Sequence, residues 1–172
     1  MRVVGGEPPA DHDASFDAFV RAHQALLHRT AYLMTGDRER AQDVVQTALA
    51  KLYQAWGRRE EWEHPLAYAR QAVVSTVLRS AERRWWGERP TEHLPERPAP
   101  DTAPDQVAAR DELRRALAEL PVRQRSAVVL RYYLDLSEAE TADALQCPTG
   151  TVKSLTARGL AALRTSLGEM SA

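Results

Sequence analysis

Apolar residues recur along this chain at steps of three and four, the spacing of one face of a helix, and no stretch alternates as a strand would. Phe16, Phe19, Val20, Leu26, Leu27, Ala31 and Met34 mark a first helix. After Gly36, Asp37 is placed to cap a second. Its Ala41, Val44, Val45, Ala48, Leu49, Leu52, Tyr53 and Trp56 form an unbroken apolar stripe. A polar stretch from Gly57 to His64 interrupts the pattern. Pro65 then stands where a first helical turn tolerates proline, opening a third helix that runs to about Trp86.

The second half repeats the helical period without repeating the sequence. Val107, Leu113, Ala116, Leu117 and Leu120 mark a helix stopped by Pro121, and Val128, Val129, Tyr132 and Tyr133 mark another. Ser137 and Glu140 form an S-x-x-E capping box that starts a short helix through Leu145. Gln146-Cys147-Pro148 is a turn, and Val152, Leu155, Leu160, Leu163 and Leu167 form the apolar side of a last helix. Between the halves, the nineteen residues from Gly87 to Asp105 hold five of the ten prolines. Such a segment reads as a spacer of roughly 60 Å if extended, or as a linker with contacts of its own. The expected fold is all-α: two small helical domains joined by a Pro-rich linker. The boundaries are a flexible 1–12, a domain at 13–88, the linker at 89–105 and a second domain at 106–169.

Composition narrows the function. The 172 residues carry 23 Lys or Arg against 24 Asp or Glu, a net charge of −1. A coat of basic residues that grips nucleic acid everywhere is therefore excluded, and any such contact is local. The single cysteine, Cys147, leaves no internal disulfide and no Cys-based zinc site. No apolar run approaches the ~20 residues that span a bilayer. The acidic, Pro- and Gly-bearing start MRVVGGEPPADHD is unlike a secretory signal, so the expected compartment is the cytoplasm. The five histidines show no metal-binding spacing, and no glycine pair forms a phosphate loop. No catalytic residue, metal site or cofactor is expected.

Two segments carry chemistry. A short capped helix, a tight turn and a longer helix are the layout of a helix-turn-helix. Ala142 lets the two helices cross closely, while Gln146 stands where glycine more easily takes the left-handed turn. Asp135, Glu138, Glu140 and Asp143 crowd the region before the turn; from Ala144 through Gly168 the charged residues are Lys153, Arg158 and Arg164 alone. Thr149, Gly150, Thr151 and Ser154 open the last helix, whose N-terminal amides suit a phosphate. The competing reading is a plain helical hairpin with a solvated basic face. The helix from Pro65 to Trp86 is acid-free between His64 and Ala81. Arg70, Arg79, Arg83 and Arg84 lie along it, with Trp62 just before it and Trp85 and Trp86 at its end. Cations interleaved with aromatics suit a single strand; core tryptophans with a solvated Arg end are the alternative.

Together these pieces resemble the extracytoplasmic-function group of RNA polymerase sigma factors over residues 13 to 169. The stretches that carry the likeness are DRERAQDVVQTALAKLYQAW at 37–56, LPVRQRSAVVLRYYLDLSEAETADAL at 120–145 and CPTGTVKSLTARGLAALR at 147–164. The resemblance implies a protein that binds core RNA polymerase and directs initiation at promoters, reading the −35 element as duplex and the −10 element as single strand. It places polymerase contacts at Gln42, Asp43 and Gln46. It places −10 contacts at Trp62, Ser75, Arg79, Arg83 and Arg84, with Trp62 in a loop that catches a flipped base. It places −35 contacts at Thr149, Gly150, Thr151, Lys153, Ser154 and Arg158. An anti-sigma factor is a candidate further partner. Three positions depart from the group's habit: Ser75 for asparagine, Thr141 for isoleucine and Leu155 for arginine. Three other classes compete. An operator-binding regulator would dimerise and bind duplex by itself, and would have no need of the basic, Trp-flanked helix. An enzyme would need a constellation that is missing. A helical scaffold would leave both acid-free helices unexplained.

Overall fold

The computed structural model describes residues 10–85 and 104–170, and every element among them is helical. In the first half α1 (Ala10–Thr35), α2 (Arg38–Ala55) and α3 (Pro65–Trp85) pack against one another, with a 3-10 turn at Trp56–Glu61 between the last two. In the second half α4 (Pro104–Glu119) and α5 (Val122–Val128) precede α6 (Glu138–Leu145) and α7 (Thr149–Met170).

Local chemistry sets most of these boundaries. Gly36 takes φ +71° to end α1, a conformation that costs glycine nothing. Asp37 then caps α2, its carboxylate accepting from the Arg40 N–H at 2.9 Å. Pro65 opens α3 as expected. α1 begins at Ala10, earlier than the apolar stripe suggested, because its first turns have tertiary partners. The Tyr53 hydroxyl donates to Asp13 at 2.7 Å, the Trp56 indole donates to Ser15 at 2.9 Å, and Arg59 pairs with Asp11 at 3.2 Å. The Tyr53 hydrogen bond, helped by His12, holds the Asp13 carboxyl below its ordinary range. Residues 10–12 are thus helical. Helix α4 likewise starts inside the expected linker, at Pro104, since proline fits a first helical turn. The linker at 89–103 lies outside the described residues.

The apolar stripes meet as the sequence implies. Ala41, Val44, Val45, Ala48 and Leu52 of α2 are buried with Leu27, Ala31 and Met34 of α1 and Val73, Val74 and Val77 of α3. The two helical domains also pack against each other. The same core continues into Ala127, Val129, Leu130, Ala142, Leu145 and Val152 of the second half, and Leu33 of α1 packs on the cluster of Ala116, Leu117, Leu120, Val128 and Leu163. Helix α3 lies against α6, and α1 lies against α4 and α5. Arg125 joins them. Its guanidinium donates to the Met34 carbonyl at 2.9 Å, at the C-terminal end of α1, and to the Ala118 and Leu120 carbonyls at 2.7 and 2.9 Å. A cation suits those unpaired helix-end carbonyls.

Within the second half, α5 runs into a π-type turn at Val129–Tyr133, closed by the Leu134 N–H on the Val129 carbonyl at 3.1 Å. The turn leaves Tyr132 and Tyr133 exposed. Helices α5 and α7 cross closely at Gly159, where a Cβ would sit 2.7 Å from Val128 Cγ2. Only hydrogen fits there.

Candidate nucleic-acid interface

The helix-turn-helix forms by the expected local chemistry. Ser137 Oγ accepts from the Glu140 N–H at 3.1 Å, and the Glu140 carboxylate accepts from the Ser137 N–H at 2.8 Å. That backbone N–H, then the hydroxyl, holds the Glu140 carboxyl below its ordinary range, with the positive charges of Arg70 and His64 adding a smaller effect from the α3 side. Gln146 takes the left-handed conformation, φ 52°, despite its side chain. Its backbone N–H and side-chain amide both donate to the Asp143 carbonyl, at 3.3 and 3.0 Å, and so tie off the end of α6. Cys147 packs partly buried against the core beside Leu145, Val152 and Leu155, which sets the angle of α7.

The outer face of α7 is then polar. Thr149, Gly150, Lys153, Ser154 and Arg158 are exposed and Thr151 is half-buried, while Val152 and Thr156 turn inward. Ser154 Oγ donates to the Thr151 carbonyl at 3.0 Å. Lys153 pairs with Glu138 of α6 at 3.5 Å, with both side chains well exposed. A pair so solvated is worth little and gives way readily to a phosphate.

On α3, Ser75, Arg79 and Arg83 share one side: Ser75 is half-buried, donating to the Ala72 carbonyl at 3.1 Å, and both arginines are exposed. The side chain of Arg84 lies outside the described residues, as does Trp86. Arg70 is set apart from this row. It belongs to the side of α3 that carries Ala69, Val73 and Val77; it is half-buried, and its Nε is buried without a hydrogen bond. Trp62, in the extended residue after the 3-10 turn, is half-buried between two rings. It meets the buried Trp56 edge-on at 5.9 Å and lies parallel to Tyr68 at 4.3 Å and 6°. Tyr68 was not singled out from the sequence, yet its ring lies exposed beside Trp62. The signal was available, because Tyr68 stands seven residues before Ser75 and so on the same side of α3. Gln42, Asp43 and Gln46 are all exposed on α2, opposite its buried stripe. Among the described residues no group of three or more His, Cys, Asp or Glu side chains converges as a metal site.

Comparison with known proteins assigns these elements. The family described as Sigma-70 region 2 matches residues 19–87, and Sigma-70 region 4 matches residues 110–163. The RNA polymerase sigma-E factor of Streptomyces coelicolor is 41% identical over 157 residues, covering 88% of this chain and 85% of its own. The chain belongs to the extracytoplasmic-function group of RNA polymerase sigma factors. Its function is accordingly to direct promoter-specific transcription initiation, with core RNA polymerase and promoter DNA as partners. The ECF RNA polymerase sigma factor SigM of Mycobacterium tuberculosis is 34% identical, over 90% of this chain and 78% of the relative. The same fold appears in the sigma factor RpoE from Bartonella quintana, crystallised in complex with the anti-sigma factor NepR. That match has a TM-score of 0.66 at 22% identity and covers 90% of this chain and 97% of that one. Sigma factors are regulatory proteins, and among the described residues no helix is long and apolar enough to cross a membrane.

Proposed function

We propose that this sigma factor divides its work among three faces. The exposed row Gln42, Asp43 and Gln46 on α2 binds core polymerase. The row Ser75, Arg79, Arg83 and Arg84 on α3, with Trp62, binds the opened −10 strand. Thr149, Gly150, Thr151, Lys153, Ser154 and Arg158 on α7 read the −35 duplex from the major groove. The observation that carries this reading is the exposed polar side of α7, presented at the start of a capped helix-turn-helix with no acidic residue from Ala144 to Gly168. The protein works in the cytoplasm, performs no catalysis of its own, and opens DNA with binding energy rather than nucleotide hydrolysis. An anti-sigma factor is its proposed regulator, on the likeness to a sigma factor crystallised with one.

The packed halves bear on how this works. Helices in contact lie ~10 Å apart, so α3 and α7, both against α6, stand within roughly 20 Å of each other. Promoter elements ~25 base pairs apart are roughly 85 Å apart at 3.4 Å per pair. Joint occupation therefore requires α6 and α7 to leave α3.

The deciding experiment mixes the purified protein with bacterial core RNA polymerase on size-exclusion chromatography and follows with runoff transcription from genomic fragments. A 1:1 complex starting transcripts at discrete sites is the expected result. No complex, together with tight duplex binding by the free protein, would establish an operator-binding regulator instead.

A further inference from the structure

Trp62 directly follows the turn at Trp56–Glu61, a 3-10 helix of six residues. Such helices seldom exceed three or four residues, because their hydrogen bonds are poorly aligned. A run of six therefore needs support from outside its own backbone. The first turns of α1 supply it. Ser15 Oγ accepts from the Trp56 indole N–H at 2.9 Å, and Asp11 pairs with the Arg59 guanidinium at 3.2 Å. Asp13 accepts from the Tyr53 hydroxyl at 2.7 Å, three residues before the turn begins. Phe16 meets both Tyr53 and Trp56 edge-on, at 5.1 and 5.3 Å. The constraint reaches Trp62 by two routes: its N–H donates to the Arg59 carbonyl at 3.0 Å, and its ring meets Trp56 edge-on at 5.9 Å. The α1 residues that make these contacts, 11–16, lie ahead of the stretch matched by Sigma-70 region 2, which begins at residue 19.

Resting on the proposed role of Trp62, we infer that the start of α1 is a clasp on the 3-10 turn, and that Ser15 is a positioning residue for promoter opening, acting through Trp56 and Trp62. The contacts differ in weight. Trp56 is buried, so its indole N–H has no ready access to water when the Ser15 hydroxyl is lost. Asp11 is well exposed, and solvent screens its pair with Arg59. Ser15 is accordingly the main fastening. A loop fixed before DNA arrives loses less freedom on binding, and the clasp fixes this one without touching DNA itself.

The test reconstitutes holoenzyme from core polymerase and the full chain, and follows promoter opening by the permanganate reactivity of unpaired thymines. Alanine favours a helix, so Ser15→Ala keeps α1 intact. It should slow opening by about 2- to 12-fold, the loss of one hydrogen bond. Ser15→Thr keeps the hydroxyl and should open promoters as wild type does. Binding to core polymerase and to −35 duplex should be unchanged in both variants, because those faces lie elsewhere on α2 and on α7. In a Trp62→Ala background, Ser15→Ala should add no further defect, since the residue it positions is gone. A purely structural role would add its loss to that of Trp62→Ala. Normal opening by Ser15→Ala overturns the inference. So does additivity with Trp62→Ala, an equal defect in Ser15→Thr, or core binding that falls in step with opening. Normal opening by Trp62→Ala alone would overturn the role of Trp62 itself, a result distinct from all of these.

Discussion

Arg125→Ala tests whether the joint between the halves carries energy. The guanidinium donates to the carbonyls of Met34, Ala118 and Leu120, and the bond to Met34 crosses between the halves. A hydrogen bond from a charged donor contributes ~1.5–3 kcal/mol when its partner is buried, and less where water can replace it. The contact to Ala118 is exposed, so water takes most of its value. The Met34 carbonyl belongs to a residue that is fully buried and ends α1, where an orphaned acceptor is costly. The expected loss is about 2–4 kcal/mol. At roughly 2–4 °C per kcal/mol for a chain of this size, that lowers Tm by about 4–16 °C. Urea unfolding, read by circular dichroism and by small-angle scattering, should show the midpoint fall, with expanded but still helical species below it. Arg125→Lys offers one compact ammonium in place of the fork and should recover about half the loss. A change under about 0.5 kcal/mol would refute the reasoning, since it would mean that the carbonyls are equally well hydrated and the halves are joined by apolar contact alone.

Other expectations follow from the same geometry. Thr141 is fully buried and its Oγ1 has no hydrogen-bond partner, so Thr141→Val should stabilise the fold by about 1 kcal/mol, read as a Tm rise of roughly 2–4 °C. The Glu140 carboxyl is held low by Ser137, so its contribution is fully present above the unfolded value near 4.5 and is lost as pH falls through the lower folded value. Glu140→Gln keeps an acceptor for the cap but removes the charge, and thermal melts between pH 5 and 3 should lose part of their acid dependence; an unchanged acid limb would contradict the capping account. Lys153→Ala and Arg158→Ala should each weaken −35 binding and lower the salt slope by about one if the lost contact is to phosphate, with polymerase binding intact. Asp43→Ala and Gln46→Ala should do the reverse in a polymerase pull-down.

Sequence alone determined the local skeleton of this protein. Asp37, Pro65 and the Ser137–Glu140 box act on backbone groups within four residues of themselves, so their effects are legible without knowing what lies across the core. The same is true of the stripe on α2, whose period fixes both the buried side and, by exclusion, the exposed row of Gln42, Asp43 and Gln46. The helix-turn-helix was legible because capping, a left-handed residue and the segregation of charge all act at short range. Tertiary structure decided what depends on partners far along the chain. Arg125 reads in the sequence as one more basic surface residue, and only the approach of Met34, 91 residues away, turns it into a joint. Arg70 belongs to the basic run by sequence and to the packed side of α3 by geometry. Gly159 reads as a weak point in a helix until Val128 is seen against it. Trp62 and Tyr68 are six residues apart, yet which of them presents an open face depended on the buried position of Trp56 beneath them. A periodic pattern shows which side of a helix seeks burial. It does not show which element arrives to provide it, and here α6 came to rest on α3.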